Sequence, residues 1–202
     1  MSSFGPMSAQ SQLAGRDEVG LLLRPGERIL WRGGPDVWAY SMRGAWYLIP
    51  FSLLWGGFAI FWEVSVLASG GGPFFALWGI PFVVAGLYLI FGRILVARRE
   101  AERTAYAVTN RRILILTGAF SRRTTELDLT QLPPSQLDVG SRGIGTITFG
   151  NLVGGFRPPP GWPTAGSFVS VPAFASVPDA ANAYRLIQDA RTAAVHNDGF
   201  RP

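Results

Sequence analysis

Two long apolar segments, separated by a short glycine-rich stretch, dominate the hydrophobic pattern of the chain. Residues 45–62 contain no charged side chain, and residues 73–92 contain none either. A helix needs about 20 apolar residues to cross the hydrocarbon core of a bilayer, and water-soluble helices rarely stay apolar on every face for that length. The pattern therefore predicts a transmembrane hairpin over 44–96, with spans at about 45–67 and 73–95.

The connection between the two segments determines their relative direction. Residues 63–72 end in Ser-Gly-Gly-Gly, and a link this short requires the two spans to run antiparallel. The alternative interpretation is a buried helical hairpin of a soluble protein. Four glycines would allow the two helices to approach closely; these are Gly56, Gly57, Gly79 and Gly86.

The arginines around the apolar pair predict its orientation in the membrane. Arg43 precedes the first segment, the hairpin loop contains no arginine, and a cluster follows the second segment, namely Arg93, Arg98, Arg99 and Arg103. Because basic residues concentrate on the cytoplasmic side of membrane proteins, we expect a multi-pass protein of the cell membrane with both termini in the cytoplasm. We expect the carboxylate of Glu63 to lie at an interface, and Arg93 to reach the cytoplasmic surface.

Outside the apolar pair the pattern changes to short runs bounded by turn residues, which is typical of β-strands. Residues 112–118 contain an unbroken Ile-Leu-Ile-Leu run, which indicates a strand buried on both faces. Apolar residues then recur at helical spacing, which predicts an amphipathic helix over 178–194 with a capping-box-like start at Ser176 and Pro178 in its first turn. The predicted strands are 27–33 before the apolar pair, and 104–109, 112–118, 123–129, 135–140, 145–150 and 167–174 after it.

The strand predicted before the apolar pair has no neighbour on its own side of the hairpin. A single strand is not stable alone, so we expect it to pair with the strands that follow the hairpin. This pairing would unite the soluble regions in a single domain, which the hairpin divides. The expected organisation is a disordered tail at 1–20, a first-strand region at 21–43, the hairpin at 44–96, the remainder of the domain at 97–195 and a frayed tail at 196–202.

Composition narrows the chemistry that the chain can support. The formal net charge is +5, every basic residue is arginine, and several arginines flank the apolar segments, where membrane topology accounts for them. We therefore expect no nucleic-acid partner. The absence of cysteine excludes disulfides, thiolate metal sites and cysteine nucleophiles. With one histidine, His196, near the end of the chain, we expect no catalytic residue, metal site or cofactor, and hence no enzyme.

Three stretches of the sequence suggest a family. Residues 25–33 (PGERILWRG), residues 106–114 (YAVTNRRIL) and the C-terminal pattern over 177–187 resemble bacterial membrane proteins with a pleckstrin-homology-like (PH-like) domain. The resemblance implies a seven-stranded, strongly bent β-domain with a C-terminal helix. The expected fold class is therefore an α+β membrane protein, in which a two-helix transmembrane hairpin is inserted between the first and second strands. Some PH domains bind phosphoinositides through basic residues in the loop between their first two strands. In this chain the transmembrane hairpin takes the place of that loop, so no binding residue is carried over.

Two stretches are candidates for a functional surface. The first is an arginine-rich strand hairpin that could contact anionic lipid headgroups, although solvated turns would have the same composition; its residues are Arg111, Arg112, Arg122 and Arg123. The second is a proline-rich loop at 151–166, which could bind a partner or cover the core of its own domain. Its candidate contact residues are Phe156, Arg157, Pro158, Pro159, Pro160 and Trp162.

These expectations favour a non-enzymatic, membrane-anchored PH-like module that presents a protein-interaction or assembly surface at the cytoplasmic face. The expected partners are the lipid bilayer and an unidentified protein, which includes a second copy of the chain. One alternative is a module that senses anionic lipid through its arginines. A second alternative is an accessory subunit of a membrane transport or secretion complex, which would use the two spans themselves.

Overall fold

Both apolar segments form helices in the computed structural model, which describes residues 18–70, 72–151 and 171–198. Helices and antiparallel sheets together make an α+β structure, as the sequence predicted. The helices are α1 (Val37–Ser41), α2 (Ala45–Ala68), α3 (Pro73–Leu87), α4 (Arg93–Arg103) and α5 (Ala180–Asp198), with a π-helical turn at Tyr88–Gly92. The strands are β1 (Ile29–Gly33), β2 (Ala105–Thr109), β3 (Arg112–Thr117), β4 (Arg123–Asp128), β5 (Ser135–Val139), β6 (Gly145–Phe149) and β7 (Ala173–Val177).

The helices formed by the apolar segments expose most of their surface. Two stretches, Tyr47–Ala68 and Pro73–Arg103, are long and apolar enough to cross a membrane. Only 22% of the most apolar window of the first, and 12% of that of the second, is buried against the rest of the described residues. A core helix of a soluble protein would be mostly covered, so this exposure argues against a buried helical hairpin.

The second long helix continues past the predicted end of its span. The π-helical turn joins α3 to α4, and the helix ends at Arg103 instead of near residue 95. Ala97 and Ala101 on α4 are buried, so the added turns are part of the domain core. The Thr104 hydroxyl donates a hydrogen bond of 2.7 Å to a carbonyl of the last turn and marks the helix end.

Small residues allow α2 and α3 to pack closely. A Cβ atom added to Gly86 would lie 2.9 Å from the Cα atom of Gly56, so the two backbones approach directly at this point. Gly79 lies beneath the carboxylate of Glu63, with no room for a side chain between them. Gly57 has no atom within 4 Å of the added position. Three of the four predicted glycines therefore serve the helix contact, and Gly57 does not.

Arg93 lies in the interior of the protein. Its side chain is only 1% exposed, and its Nε and Nη1 atoms have no hydrogen-bond partner among the described residues. The prediction that this guanidinium extends to the surface is therefore wrong. It is the first residue of α4, directly after the π-helical turn.

Strands β1 to β4 form sheet A, in which the chain before the hairpin pairs with the chain after it. The strand order is β1-β2-β3-β4, and all neighbours are antiparallel. Gly33 is opposite Tyr106, and Arg32 is opposite Ala107. The predicted pairing across the hairpin is therefore observed. Strand β3 is buried on both faces, as its Ile-Leu-Ile-Leu run indicated.

A β-bulge explains why Leu30 interrupts the alternation of β1. The register shifts between Ile29, which is opposite Thr109, and Trp31, which is opposite Val108. The extra residue, Leu30, is half-exposed. Because a bulge changes the face of the following side chain, Ile29 packs on one side of sheet A and Trp31 on the other.

The segment before β1 covers the outer face of sheet A. Residues 18–21 form a helical turn, and Val19 is 1% exposed against Ala107 and Leu114. We predicted a disordered tail up to residue 20, but its last residues are packed against the sheet. This cover is the reason why β2 and β3 are buried on both faces.

The main core lies between sheet A, sheet B (β5-β6-β7) and α5. The Tyr106 and Phe174 rings stack at a centroid distance of 4.5 Å, and Phe149 meets Phe174 edge-on at 5.4 Å. The Tyr106 hydroxyl accepts a 3.0 Å hydrogen bond from the backbone N–H of Ala175. It therefore connects the two sheets. Helix α5 closes the core with Ala180, Ala183 and Ile187, which are all fully buried.

The end of the chain differs from the prediction at the β7–α5 boundary. Strand β7 runs to Val177, whereas we predicted a strand over 167–174, of which 167–170 lies outside the described residues. Ser176 and Asp179 have φ values of 52° and 51°, so Pro178 lies in a turn and not in the helix. The positive φ values of Ser176 and Asp179 form the turn between β7 and α5, at the place where we predicted a capping-box-like start of the helix. The helix continues to Asp198 and includes His196, which we placed in a frayed tail.

Candidate interaction surfaces

The four arginines predicted to contact lipid do not form one cluster. Arg111 and Arg112 lie at the start of β3, and Arg122 and Arg123 follow its end. Strand β3 begins at Arg112, and its last residue, Thr117, is opposite Arg123, so the two pairs lie roughly 17 Å apart along the strand. A single flat contact through all four residues is therefore not available in this structure.

Arg112 is a structural residue in the interior. It is 5% exposed, and its Nε and Nη2 atoms donate hydrogen bonds of 2.9 and 3.0 Å to the two carboxylate oxygens of Glu27. Its remaining contacts are with the Glu126 carboxylate and the Leu22 carbonyl. Because all three nitrogens have partners inside the protein, Arg112 is removed from the set of candidate lipid contacts.

The pair Glu27–Arg112, which we call the buried clamp, ties the segment before β1 to the β2–β3 turn. Burial alone would raise the pKa of Glu27, but hydrogen bonds from Arg112, from the Arg24 backbone N–H and from the Thr109 hydroxyl lower it to about 2. The hydrogen bonds to Glu27 raise the pKa of Arg112. Both groups are therefore charged at neutral pH, and the clamp is a complete ion pair with little exposed side chain.

The other arginines occupy different environments. Arg122 pairs with Glu18 at 2.6 Å and also contacts the Arg103 carbonyl. Arg111 and Arg123 are exposed. The Glu126 carboxylate, which is partly exposed, accepts from Arg112 and from Arg24, the latter at 3.2 Å. Arg122 is exposed as well, but it is paired with Glu18, so Arg111 and Arg123 remain the candidates for a surface contact, at opposite ends of β3.

The turn between β3 and β4 is attached to the end of the long helix. The Ala119 carbonyl accepts hydrogen bonds of 3.1 Å from Arg99 Nε and from Arg103 Nη1. Phe120, at the tip of this turn, is 76% exposed, and the Arg99 guanidinium lies 5.6 Å from its ring centroid. Phe120 was not predicted from the sequence as part of a functional surface. The available signal was a large apolar residue inside a turn.

Helix α1 lies against the same end of the long helix. Asp36 caps it by accepting a 2.7 Å hydrogen bond from the Ala39 N–H. The Tyr40 hydroxyl donates a 3.1 Å hydrogen bond to Glu100 of α4, and burial together with this carboxylate raises the pKa of Tyr40. Trp38, on the free side of α1, is 64% exposed. This end of the domain therefore carries two exposed aromatic rings that were not predicted from the sequence.

The proline-rich loop lies almost entirely outside the described residues, and its predicted contact residues with it: Phe156, Arg157, Pro158, Pro159, Pro160 and Trp162. Its ends are described. The Gly150 N–H donates to the Pro134 carbonyl at 2.8 Å, and the Phe149 N–H donates to the Pro172 carbonyl at 2.9 Å. These ends adjoin the start of β7. Near the other end of β7, the Ser176 carbonyl accepts a hydrogen bond of 2.8 Å from the backbone N–H of Asp36, which lies beside α1. The loop therefore departs from the opposite end of β7.

A family model described as bacterial PH domain matches residues 62–191, which is more than half of the chain. The chain belongs to the bacterial PH domain family. The matched range of this bacterial PH domain protein begins within α2 and ends within α5, so it includes strands β2 to β7. The resemblance inferred from its sequence is therefore confirmed.

One similar protein is an uncharacterized 23.7 kDa protein in the puhA 5' region of Rhodobacter capsulatus. It is 29% identical to this bacterial PH domain protein over 188 residues, which cover 86% of this chain and 84% of the relative. No solved structure matches the chain. The similarity therefore extends over nearly the whole length of both proteins, and it includes the apolar helices.

Proposed function

We propose that this protein is a non-enzymatic, membrane-anchored PH module that presents a protein-interaction or assembly surface at the cytoplasmic face. The anchor is the α2–α3 hairpin, which crosses the cell membrane twice. The β1–β2 pairing supports this arrangement, because the sheet can close only if both ends of the hairpin emerge on the same side. The apolar helical stretches Tyr47–Ala68 and Pro73–Arg103 have 22 and 31 residues, which is sufficient to cross a bilayer.

The charge distribution supports a cytoplasmic position for the domain. Arg43 precedes α2, and arginines recur through α4, whereas Ser69 and Gly70 at the other end of the hairpin have no basic neighbour in the sequence. Basic residues near membrane spans remain on the cytoplasmic side. Both termini would therefore be cytoplasmic, and the hairpin turn would be on the outer side.

The observation that carries the interaction surface is the outer edge of β5. Strand β5 pairs with β6 on one side, and no described strand pairs with its other side. Val139 at the end of this edge is 53% exposed. An open edge strand is a template to which another chain can add a strand through backbone hydrogen bonds. We propose that a second copy of the chain, or another protein, pairs with this edge.

Cysteine cross-linking in membranes tests assembly through β5. The chain has no cysteine, so Asp138→Cys places one thiol on β5, and Arg185→Cys places one on the exposed face of α5 as the matched control. With a short bis-maleimide we expect a dimer-sized product from the first variant only. Adding Val139→Lys should abolish that product, because a charge on an edge strand opposes pairing. No product from Asp138→Cys, or equal products from both variants, would contradict assembly through β5.

The lipid-sensing alternative has less support from the described residues. It requires the four predicted arginines to act together, but Arg112 is internal, Arg122 is paired with Glu18, and Arg111 and Arg123 lie at opposite ends of β3. Binding to anionic vesicles that is lost in Arg111→Glu and Arg123→Glu would favour sensing over our proposal.

An aromatic groove favours the second alternative, an accessory role within the membrane. The groove lies between α2 and α3, has a volume of about 270 Å³ and could accept an apolar side chain of another span. Its lining residues are Trp55, Phe58, Ala59, Trp62, Trp78 and Phe82. Exchange of the hairpin for an unrelated two-span hairpin would remove an accessory role and leave a β5-based role intact.

A further inference from the structure

We propose that the end of the domain beside α4 is seated on the cytoplasmic leaflet. Trp38 and Phe120 enter the interfacial region of the bilayer, and the arginines around them contact anionic phospholipid headgroups. We call this end the seating surface, defined by Trp38, Arg43, Arg99 and Phe120. The proposal rests on the membrane anchoring proposed above. It concerns how the domain is oriented on the bilayer.

The depth of the seating surface follows from the length of the second helix. From Pro73 to Val96 the only charged residue of this helix and its continuation is Arg93. The length of this stretch is about 36 Å at 1.5 Å per residue. The hydrocarbon core is about 30 Å thick, and the headgroup layers extend the bilayer to about 40–45 Å. Val96 therefore lies close to the cytoplasmic headgroups. Arg99 is about 4.5 Å further along the axis, which keeps it in or beside this layer.

Hydrogen bonds hold Phe120 at the level of Arg99. The Ala119 carbonyl, next to Phe120, accepts from both Arg99 and Arg103, so the turn is attached to the helix at two points. The guanidinium of Arg99 also lies over the Phe120 ring. This position fixes an exposed apolar ring next to the bilayer surface, with a cation beside it.

Trp38 reaches the same level from another side of the helix. Tyr40 of α1 is bonded to Glu100, the residue after Arg99. Helix α1 is also only a few residues from the start of α2, so it must lie near the membrane surface. Trp38 is 64% exposed on this short helix, and tryptophan is enriched at membrane interfaces. The two rings therefore flank the point at which the long helix leaves the bilayer.

The charges at this end suit an anionic leaflet. Arg43 follows α1, and the arginines on α4 beyond Val96, which are Arg98, Arg99 and Arg103, outnumber the carboxylates of Glu100 and Glu102 on the same helix. The carboxylate of Glu18 is paired with Arg122. Basic groups beside a transmembrane helix are attracted to anionic lipid headgroups. Exposed aromatic rings and positive charge at headgroup depth together select a lipid surface as the occupant.

Depth-dependent fluorescence quenching tests the seating surface in the full-length protein. A thiol-reactive fluorophore is placed at Ser121→Cys, beside Phe120, and the protein is reconstituted in nanodiscs that contain lipids with a nitroxide near the headgroup. Arg111→Cys at the other end of β3 is the matched exposed control, and Leu77→Cys in α3 is the control for the membrane span. We expect at least twofold stronger quenching at Ser121→Cys than at Arg111→Cys. We also expect Phe120→Ser to remove at least half of this difference.

The outcomes separate the seating surface from the anchor. Equal quenching at Ser121→Cys and Arg111→Cys, with a buried label at Leu77→Cys, would overturn the seating surface and leave the anchor in place. A water-exposed label at Leu77→Cys would overturn the anchor as well. Quenching at Ser121→Cys should be greater with phosphatidylglycerol than with phosphatidylcholine alone, and equal quenching in both would overturn the role of the arginines.

Discussion

The change Glu27→Gln should destabilise the folded domain by about 3 kcal/mol. In the native protein the pKa of Glu27 falls from 4.5 to about 2, which corresponds to roughly 3 kcal/mol of preference for the ionised carboxylate. The glutamine keeps the shape of the side chain but removes its charge. The Arg112 guanidinium then remains buried with an incomplete set of partners, which is the costly way to break a buried ion pair.

Thermal unfolding of the full-length protein in detergent micelles, followed by near-ultraviolet circular dichroism, measures this loss. For a domain of this size, about 3 kcal/mol corresponds to a decrease in Tm of roughly 10 °C. Glu126→Gln is the matched control, because the same change is made to another partner of Arg112 whose side chain is 41% exposed. An exposed pair is worth less than about 1 kcal/mol, so this variant should lose only a few degrees.

The pH dependence gives a second test of the buried clamp. The pKa of Glu27 is lowered on folding, so its contribution is fully present above pH 4.5, declines as the pH falls and is lost below about pH 2. The stability difference between the native protein and Glu27→Gln should follow this course. Equal Tm values for the Glu27→Gln and Glu126→Gln variants at pH 7, or a difference that does not change in acid, would refute the reasoning.

Two further changes have expected outcomes of known direction. Gly86→Leu should separate α2 from α3, because a Cβ atom at this position would lie 2.9 Å from the Cα atom of Gly56. Gly57→Leu is the control and should not separate the helices, because its position is open. The distance between spin labels on the two helices measures the separation in each variant. Tyr106→Phe leaves the Ala175 N–H without its 3.0 Å partner, so we expect a loss of about 1–3 kcal/mol in the same unfolding assay, and an unchanged Tm would contradict that role.

The structural elements that have long, uninterrupted hydrophobic patterns were predicted well from the sequence. The two apolar segments and the run in β3 each contain many residues that point to one structure, so single exceptions do not change the interpretation. The pairing of β1 with the strands that follow the hairpin also followed from the sequence, since a lone strand requires a partner. These elements determine the α+β class.

Features that depend on distant contacts could not be predicted. The sequence places Arg112 at a turn, where side chains are usually exposed. In the structure its side chain is buried because it is hydrogen-bonded to Glu27, which is far away in sequence. Leu30 interrupts a local pattern, and only the register against β2 shows that it forms a bulge. Ala97 and Ala101 are buried in the extended helix, and Tyr40 and Ala175, from distant parts of the chain, cluster with Ala101.

The candidate surfaces were the least predictable feature of the molecule. The arginines were grouped by proximity in sequence, whereas β3 separates them in space. Phe120 and Trp38 were missed because exposure of an apolar side chain becomes informative only when its surroundings are known. The open edge of β5 depends on sheet order, which a single sequence does not specify.

Cysteine accessibility in intact bacterial cells tests the central claim, that a membrane-spanning hairpin divides a cytoplasmic PH domain. Single cysteines at Gly70, Leu21 and Val195, which are all exposed, report on the hairpin turn and on the two ends of the domain. A membrane-impermeant maleimide should label Gly70→Cys in intact cells, and should label Leu21→Cys and Val195→Cys only after lysis. Labelling of all three, or of none, in intact cells would contradict the claim, because the hairpin turn and the domain would then lie on the same side of the membrane.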